Sequence, residues 1–586
     1  MCGIAGIMSR EGAPDPSAMS AMAGALIHRG PDGRGGYAAG NVAMAHLRLA
    51  IIDLETGDQP IFEPGGAALI ANGEIYNYIE LARELSDVAF TTKSDCEPPL
   101  HLYRRLGPDY VRRLRGMYAI AIHDPREGRL LLSRDPFGIK PLYYAETARG
   151  LVFASELQAI LASGLVSRAL DSERRDELLE LQFTTGTNTI FRGIRRVAPG
   201  ETVIAVAGRI VERRRLPALP DEGPRVETEA NALRRVDAAL TDSVSVHQRS
   251  DVPYGMFLSG GVDSSAVLAL MARLNDRPVR AFTVGFSGTG VADERAHART
   301  VARALGAEHV EVEFSESDFW RLLPRIAAAM DDPAADYAVL PTYKLGEIAG
   351  RDLKVILCGE GGDEMFAGYG RYRSAMRPFW LGGRALRPRG ILERAGVLRR
   401  EPRAWRDGIM AAEVAAKTPS RTKLQIAQAV DCADWLPNDL LTKLDRCLMA
   451  HGVEGRVPFL DPRVAEAALC LPDRLKVRRG LGKWLLRRWL AQACPETRPF
   501  SRKRGFTVPV TEWIARRGDE IGKLVAADPA ISDICKPEAA RALFARPGNR
   551  AGLAPWVLLF YALWHRHHVL GLDPGGDVFE TLSAQP

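Results

Sequence analysis

Short apolar runs separated by turn residues occupy residues 3–8, 67–71, 117–123 and 129–133. Runs of this length, bounded by glycine, proline and polar clusters, predict buried strands, and the helical stretches between them make the first part of the chain a strand-rich α/β sandwich. A polar connection over residues 213–229 carries Pro217, Pro220 and Pro224 and marks a domain boundary. The expected division is a first domain over 1–212, a linker over 213–228 and a second domain over 229–586. In the second domain the pattern becomes strand then helix: 254–258 with a helix to Leu274, 279–284 with a helix to Leu305, and 309–312 with a helix to Met330. The run 353–358 extends the series, and such alternation predicts a parallel sheet with covering helices, followed by a mostly helical C-terminal part.

Composition changes this picture little. At 586 residues, with 46% hydrophobic and 26% charged positions, the chain has the make-up of a folded globular protein of several units. The N-terminus lacks a basic stretch and a long apolar core, so the chain is expected to begin as mature protein. The apolar run 553–564, with Pro555 inside it, falls short of the ~20 residues of a membrane helix and predicts a buried helix. Eight cysteines without a CxxC pair fit a reduced cytoplasm and suggest no zinc site. The net charge is +6; the basic residues between Arg384 and Arg406 predict a solvated arginine-rich helix face in preference to a nucleic-acid patch.

Two sets of residues carry chemistry. Removal of Met1 would leave Cys2 with its thiol and free α-amine on one residue, and an amine of ordinary pKa about 7.7–8.0 can act as the thiol's own base. Around it stand Gly3-Ile4-Ala5-Gly6, His28-Arg29-Gly30-Pro31-Asp32, Arg48, Asn72-Gly73-Glu74-Ile75-Tyr76-Asn77, Ser94-Asp95 and Arg134-Asp135-Pro136-Phe137-Gly138. Taken singly, Asn72-Gly73 reads as a hairpin turn, Arg48 and Asp95 as a surface pair, and Pro98-Pro99 as a helix start. Together these residues resemble the class II glutamine amidotransferases. That resemblance implies an N-terminal-nucleophile αββα sandwich in which Cys2 forms a glutamyl thioester. The same resemblance implies that Asn72 and the Gly73 N–H form the oxyanion hole, and that Arg48, Leu49, Ile51, Ile52, Asn72, Gly73, Glu74 and Asp95 bind glutamine.

The second set begins with Ser259-Gly260-Gly261-Val262-Asp263-Ser264-Ser265, placed after an expected strand and before an expected helix. Two glycines let backbone wrap an anion, and the helix start adds N–H donors and a positive dipole end. The segment matches the pyrophosphate loop of ATP pyrophosphatases and lacks the GxxxxGK[ST] pattern of Walker kinases, which implies adenylation. Gly359-Glu360-Gly361-Gly362-Asp363-Glu364 follows the expected strand ending at Cys358, so both loops open at strand ends, where ligands bind open α/β sheets. Asp263 and Asp363 are candidate Mg²⁺ ligands and Glu360 a candidate general base.

With Lys443-Leu444-Asp445-Arg446, the segment 451–461 (HGVEGRVPFLD) and Lys483-Trp484-Leu485-Leu486-Arg487, nearly the whole chain resembles the glutamine-dependent asparagine synthetases of bacterial type. By that resemblance Leu258, Ser259, Gly260, Gly261, Asp263, Ser264, Ser265, Val284, Cys358, Gly359 and Lys483 bind ATP. Cys358 stands where serine is expected and reads as a buried strand-end thiol. The implied partners are glutamine, ATP and aspartate, with no nucleic acid and no membrane; a homodimer is compatible with the resemblance. Rival readings are the same ligase acting on a sugar acid or a peptide, a pyrophosphate-loop RNA enzyme, and an inactive binding protein.

Overall fold

The computed structural model describes residues 2–585 apart from 292, 382, 394, 502–506 and 546–551. Met1, whose removal frees the Cys2 amine, lies outside the described residues.

Two antiparallel six-stranded sheets build the N-terminal part. In strand Gly3–Ser9 alternate side chains point opposite ways, as the two-residue period of a strand requires. Ile4 and Met8 pack with Val42 and Met44 against Ala68, Ile70, Ala119 and Leu132 of the second sheet, while Ala5 and Ile7 meet Met22 and Leu157 of the helices Pro16–Gly24 and Leu157–Ala162. The outer face of the second sheet is covered by Leu81 and Leu100 of the helices Tyr78–Glu84 and Glu97–Leu106. This is the αββα layering. Pro98 and Pro99 occupy the first turn of Glu97–Leu106, where a missing N–H costs nothing.

The strand Arg209–Arg215 runs three residues into the expected linker, and the helix Glu229–His247 begins at an N-cap, Thr228, whose hydroxyl accepts the Asn231 N–H. The second part holds a five-stranded sheet in the order Glu308–Glu313, Arg280–Gly285, Tyr254–Phe257, Val355–Leu357, Glu454–Arg456. All neighbours are parallel. Its last strand was not anticipated. The apolar run 553–564 forms most of the buried helix Ala554–His568, and among the described residues no helix is long and apolar enough to cross a membrane.

One expectation fails. The described residues of 384–406 form no arginine-rich helix; the next helix among the described residues begins only at Asp407. Pro388, Gly390, Gly396 and Pro402 break the hydrogen-bond ladder. Some of the arginines turn inward instead: the Arg387 guanidinium lies 3.8 Å from the centroid of Trp435.

Candidate active sites

Cys2 stands at the head of strand Gly3–Ser9, buried, and its backbone N–H donates to Asn72 Oδ1 at 3.0 Å. Asn72 and Gly73 lie inside strand Ala68–Ile75, paired with Ala119 and Tyr118, so the Asn-Gly pair is not a hairpin turn. With Oδ1 engaged, the Asn72 Nδ2 of a fully buried side chain has no hydrogen-bond partner. Such an orphan donor costs about 1–3 kcal/mol unless a ligand oxygen satisfies it. Burial pushes the Cys2 thiol up, while the Leu49 N–H and the Arg48 charge pull it back.

Arg48, Leu49, Ile51 and Ile52 are all buried. The Arg48 guanidinium donates to Asp58 Oδ1 at 2.9 Å and to the Asp53 carbonyl. Asp251 of the second part clamps this loop: its Oδ2 accepts the Asp53 N–H at 2.7 Å and its N–H donates to the Ile51 carbonyl at 3.0 Å. Arg48 and Asp95 are therefore no surface pair, and each bonds elsewhere. Asp95 accepts the Ile75 N–H at 2.7 Å. Burial raises its carboxyl to about 6, against the pull of that N–H. Burial likewise drives Glu74 well up, opposed by Arg456, whose Nη2 lies 3.1 Å from Glu74 Oε2.

Sequence reasoning missed the residues that join this site to the second part. Arg29 Nε donates to the Cys2 carbonyl at 3.1 Å, and its Nη1 reaches both Glu156 and Asp445 at 2.7 Å. Asp445 also accepts from Arg446 at 2.8 Å, and Arg446 Nε donates to Asp331 at 2.6 Å. Arg456 binds Glu454 at 2.6 Å. The segments HRGPD, KLDR and HGVEGR were the available signal, but nothing in them names the partner.

The second constellation lies at the carboxyl ends of the parallel strands. Leu258 donates its N–H to the Phe282 carbonyl at 2.8 Å, and the loop from Ser259 leads into helix Val262–Leu274, whose N-cap is Gly261 with no side-chain cap. Its first N–H groups are thus left for an anion. Gly260 has φ +71°, a conformation costly for any residue with a Cβ. Ser264 Oγ lies 3.0 Å from Ser259 Oγ.

A cavity of about 750 Å³ opens on Ser259, Gly260, Gly261, Asp263, Asp363 and Lys483. A neighbouring one of about 450 Å³ is lined by Leu258, Ser264, Val284, Cys358, Gly359 and Glu360, among others. Of the expected ATP-binding residues only Ser265 reaches neither; its hydroxyl is buried behind the loop with no partner. Cys358 is 1% exposed and burial drives its thiol well up, which fits an inert strand-end thiol. Burial also raises Glu360, opposed by Lys443.

Lys483 Nζ contacts Asp263 Oδ2 and lies 2.7 Å from Asp363 Oδ1. Two carboxylates from separate loops thus converge on one cation. That donor set fits a hard divalent ion, with phosphate and water supplying its remaining ligands. Gly368 makes the convergence possible: a Cβ there would stand 1.8 Å from Asp363 Oδ1 and 2.1 Å from Lys483 Cε.

The glutamine amidotransferase domain family matches residues 1–215, and the asparagine synthase family matches residues 235–566. The glutamine-hydrolysing asparagine synthetase 1 of Bacillus subtilis is 32% identical over 96% of this chain and 96% of its own. A putative glutamine-hydrolysing asparagine synthetase of Mycobacterium tuberculosis is 33% identical over 96% of this chain and 97% of its own. Amidase chry2 of Gibberella zeae is 30% identical over 64% of this chain and 60% of its own. A two-sheet sandwich followed by a parallel-sheet part on one chain, with matches of this extent, makes the protein a member of the asparagine synthase family bearing an N-terminal glutamine amidotransferase domain.

Proposed function

We propose that the chain is a glutamine-hydrolysing asparagine synthetase. Cys2 Sγ attacks the glutamine side-chain amide; the α-amine freed by loss of Met1 takes the thiol proton and returns it to the leaving ammonia. Asn72 Nδ2 and the Gly73 N–H hold the oxyanion, a contribution of roughly 2.7–4 kcal/mol for each fixed donor. Water then releases glutamate from the thioester. Arg48 takes the glutamine α-carboxylate, and Glu74 and Asp95 take its α-ammonium.

At the second site the β-carboxylate of aspartate attacks the α-phosphorus of ATP, giving β-aspartyl-AMP and pyrophosphate. Leu258, Val284, Cys358 and Gly359 hold the adenosine, and the Ser259–Ser265 loop with Lys483 holds the leaving phosphates. Mg²⁺ on Asp263 and Asp363 would neutralise charge on the pyrophosphate. Ammonia attacks the acyl carbon, Glu360 takes its proton, and asparagine and AMP leave.

The observation that carries this reading is the pairing, in one chain, of a buried Cys2 bound to Asn72 with Asp263 and Asp363 converging on Lys483. The test is stoichiometry: glutamine, ATP and aspartate should yield glutamate, AMP, pyrophosphate and asparagine in equal amounts. Pyrophosphate release with a sugar acid or a peptide but never with aspartate would move the chain to another carboxylate acceptor.

A further inference from the structure

The two partners of Arg48 hold it unequally. The Asp58 side chain, which accepts from Nη1, is 82% exposed, so solvent screens that pair and it fixes the guanidinium only loosely. The Asp53 carbonyl, which accepts from Nη2, belongs to a buried residue in a tightly packed loop. A Cβ on Gly57 would stand 2.5 Å from Arg48 Nη2 and 2.7 Å from that same carbonyl oxygen. A guanidinium has five N–H donors, and these two bonds leave others for a carboxylate.

The direction of the Asp53 carbonyl depends on an unfavourable backbone. Asp53 has φ +55°, in the left-handed region that a residue with a Cβ occupies only where its surroundings hold it. Its own side chain makes part of the hold, accepting the Thr56 N–H and the Lys93 N–H at 2.9 Å each. The second part of the chain supplies the rest through Asp251, whose Oδ2 accepts the Asp53 N–H at 2.7 Å.

Asp251 is itself fixed by its neighbours. Arg249, two residues earlier, donates from its two terminal nitrogens to the Glu80 carboxylate at 2.8 and 2.7 Å, and its carbonyl accepts from Arg456 Nη1 at 2.6 Å. Ser250 Oγ closes the turn by donating to the Val252 carbonyl at 2.8 Å. Asp251 is nonetheless exposed, so shortening its side chain removes a hydrogen bond and opens no cavity in the core.

We propose that Asp251 is a positioning residue for the amide donor: by holding Asp53 it aims Arg48 at the glutamine α-carboxylate, and the second part of the chain thereby sets the affinity of the first for glutamine. The assignment rests on the reading of Arg48 given above and adds to it a residue outside the amidotransferase domain.

The test is ammonia release by the full chain from glutamine and from 4-aminobutanamide, which keeps the side-chain amide and an ammonium group and lacks the α-carboxylate. Wild type should favour glutamine by about a hundredfold or more in kcat/KM. Asp251→Ala should raise the glutamine KM about tenfold, leave kcat at saturating glutamine within about twofold, and narrow the preference for glutamine over 4-aminobutanamide. Asp251→Asn, whose amide oxygen still accepts the Asp53 N–H, should keep a glutamine KM within about threefold of wild type. Synthesis driven by free ammonia, unchanged in both variants, reports that they are folded. A glutamine KM within about twofold of wild type in folded Asp251→Ala, or an Asp251→Asn that loses as much as Asp251→Ala, overturns the positioning role while the reading of Arg48 stands. Equal use of the two amides by wild type would instead remove Arg48 from the α-carboxylate, and the positioning role with it.

Discussion

The two sites handle charge in opposite ways. Around Cys2 the charged groups are buried and mutually bonded, and they come from both parts of the chain: Arg29, Glu156, Asp445, Arg446 and Asp331 in one group, Glu74, Glu454 and Arg456 in another. Around the pyrophosphate-type loop, Asp263, Asp363 and Lys483 line an open cavity, and the helix that follows starts without a side-chain cap. The first site is thus completed by the second part of its own chain, whereas the second is open to a cavity. The amidotransferase domain is for this reason bonded into the second part and is no free-standing module. Removing one partner from a buried charge group strands the others, at a cost of about 3–5 kcal/mol, whereas the open loop tolerates charge changes and loses only chemistry.

Cys2→Ala should break the comparison most severely on one side alone. It should abolish glutamine-driven synthesis and spare synthesis driven by free ammonia; loss of both in a folded variant would count against two separable sites. Next in size, Asn72→Ala should lower the glutaminase kcat by roughly 10²–10³-fold, the usual cost of one oxyanion donor. A drop below about fivefold would leave the orphan Nδ2 without a catalytic role. Asp263→Asn and Asp363→Asn should each reduce ATP–pyrophosphate exchange by roughly 100-fold, with glutaminase activity retained. Unchanged exchange in both variants would withdraw the metal assignment.

Asp445→Asn probes the difference directly. It removes a charge that Arg29 and Arg446 share, and Arg29 holds the Cys2 carbonyl. Chemical unfolding of this variant should show a loss of about 3 kcal/mol, whereas Asp363→Asn should cost less, because Lys483 keeps its ion pair with Asp263. Equal costs would erase the distinction between a closed and an open site.

Much of this was legible in the sequence, for a physical reason. Glycine loops at strand ends are local features, so Ser259–Ser265 and Gly359–Glu364 declare themselves within a few residues of apolar run, and short apolar runs marked Gly3–Ser9 and Gly116–Asp124, which are buried almost throughout. The strand Glu454–Arg456 was not legible because its two charged ends look solvated; ion pairs formed after folding are what bury them. The strand Val42–Arg48, next to the edge of its sheet, carries His46 and Arg48 within an otherwise apolar run, which blurs its pattern. Arg29 and Asp445 lie 416 positions apart, and no local pattern reports a contact at that range. Asp439 belongs to no motif of the sequence, and only its burial without hydrogen-bond partners singles it out.

The smallest expected effect is a pH dependence that should appear at the closed site alone. Burial raises the Asp95 carboxyl to about 6, above the ordinary value of about 3.9. Because the folded value exceeds the unfolded one, the contribution of Asp95 to stability is full below about pH 4 and is lost as pH rises through about 6. Ionised Asp95 is therefore carried at a cost, and that form is the one able to receive an ammonium group. Glu74, Glu454, Arg456 and Cys96 surround it. Since Glu74 also titrates upward, the apparent pKa belongs to the pair. Glutamine itself does not change charge in this window. The glutamine KM should accordingly rise as pH falls below about 6, approaching about tenfold per pH unit. Synthesis driven by ammonia, corrected for the fraction present as free NH₃, should lack this rise. Asp95→Asn should raise the glutamine KM at pH 8 and flatten its dependence on pH. A wild-type glutamine KM that stays level from pH 8 to pH 5 would remove Asp95 from the ammonium-binding role and leave its carboxyl a structural acceptor for the Ile75 N–H.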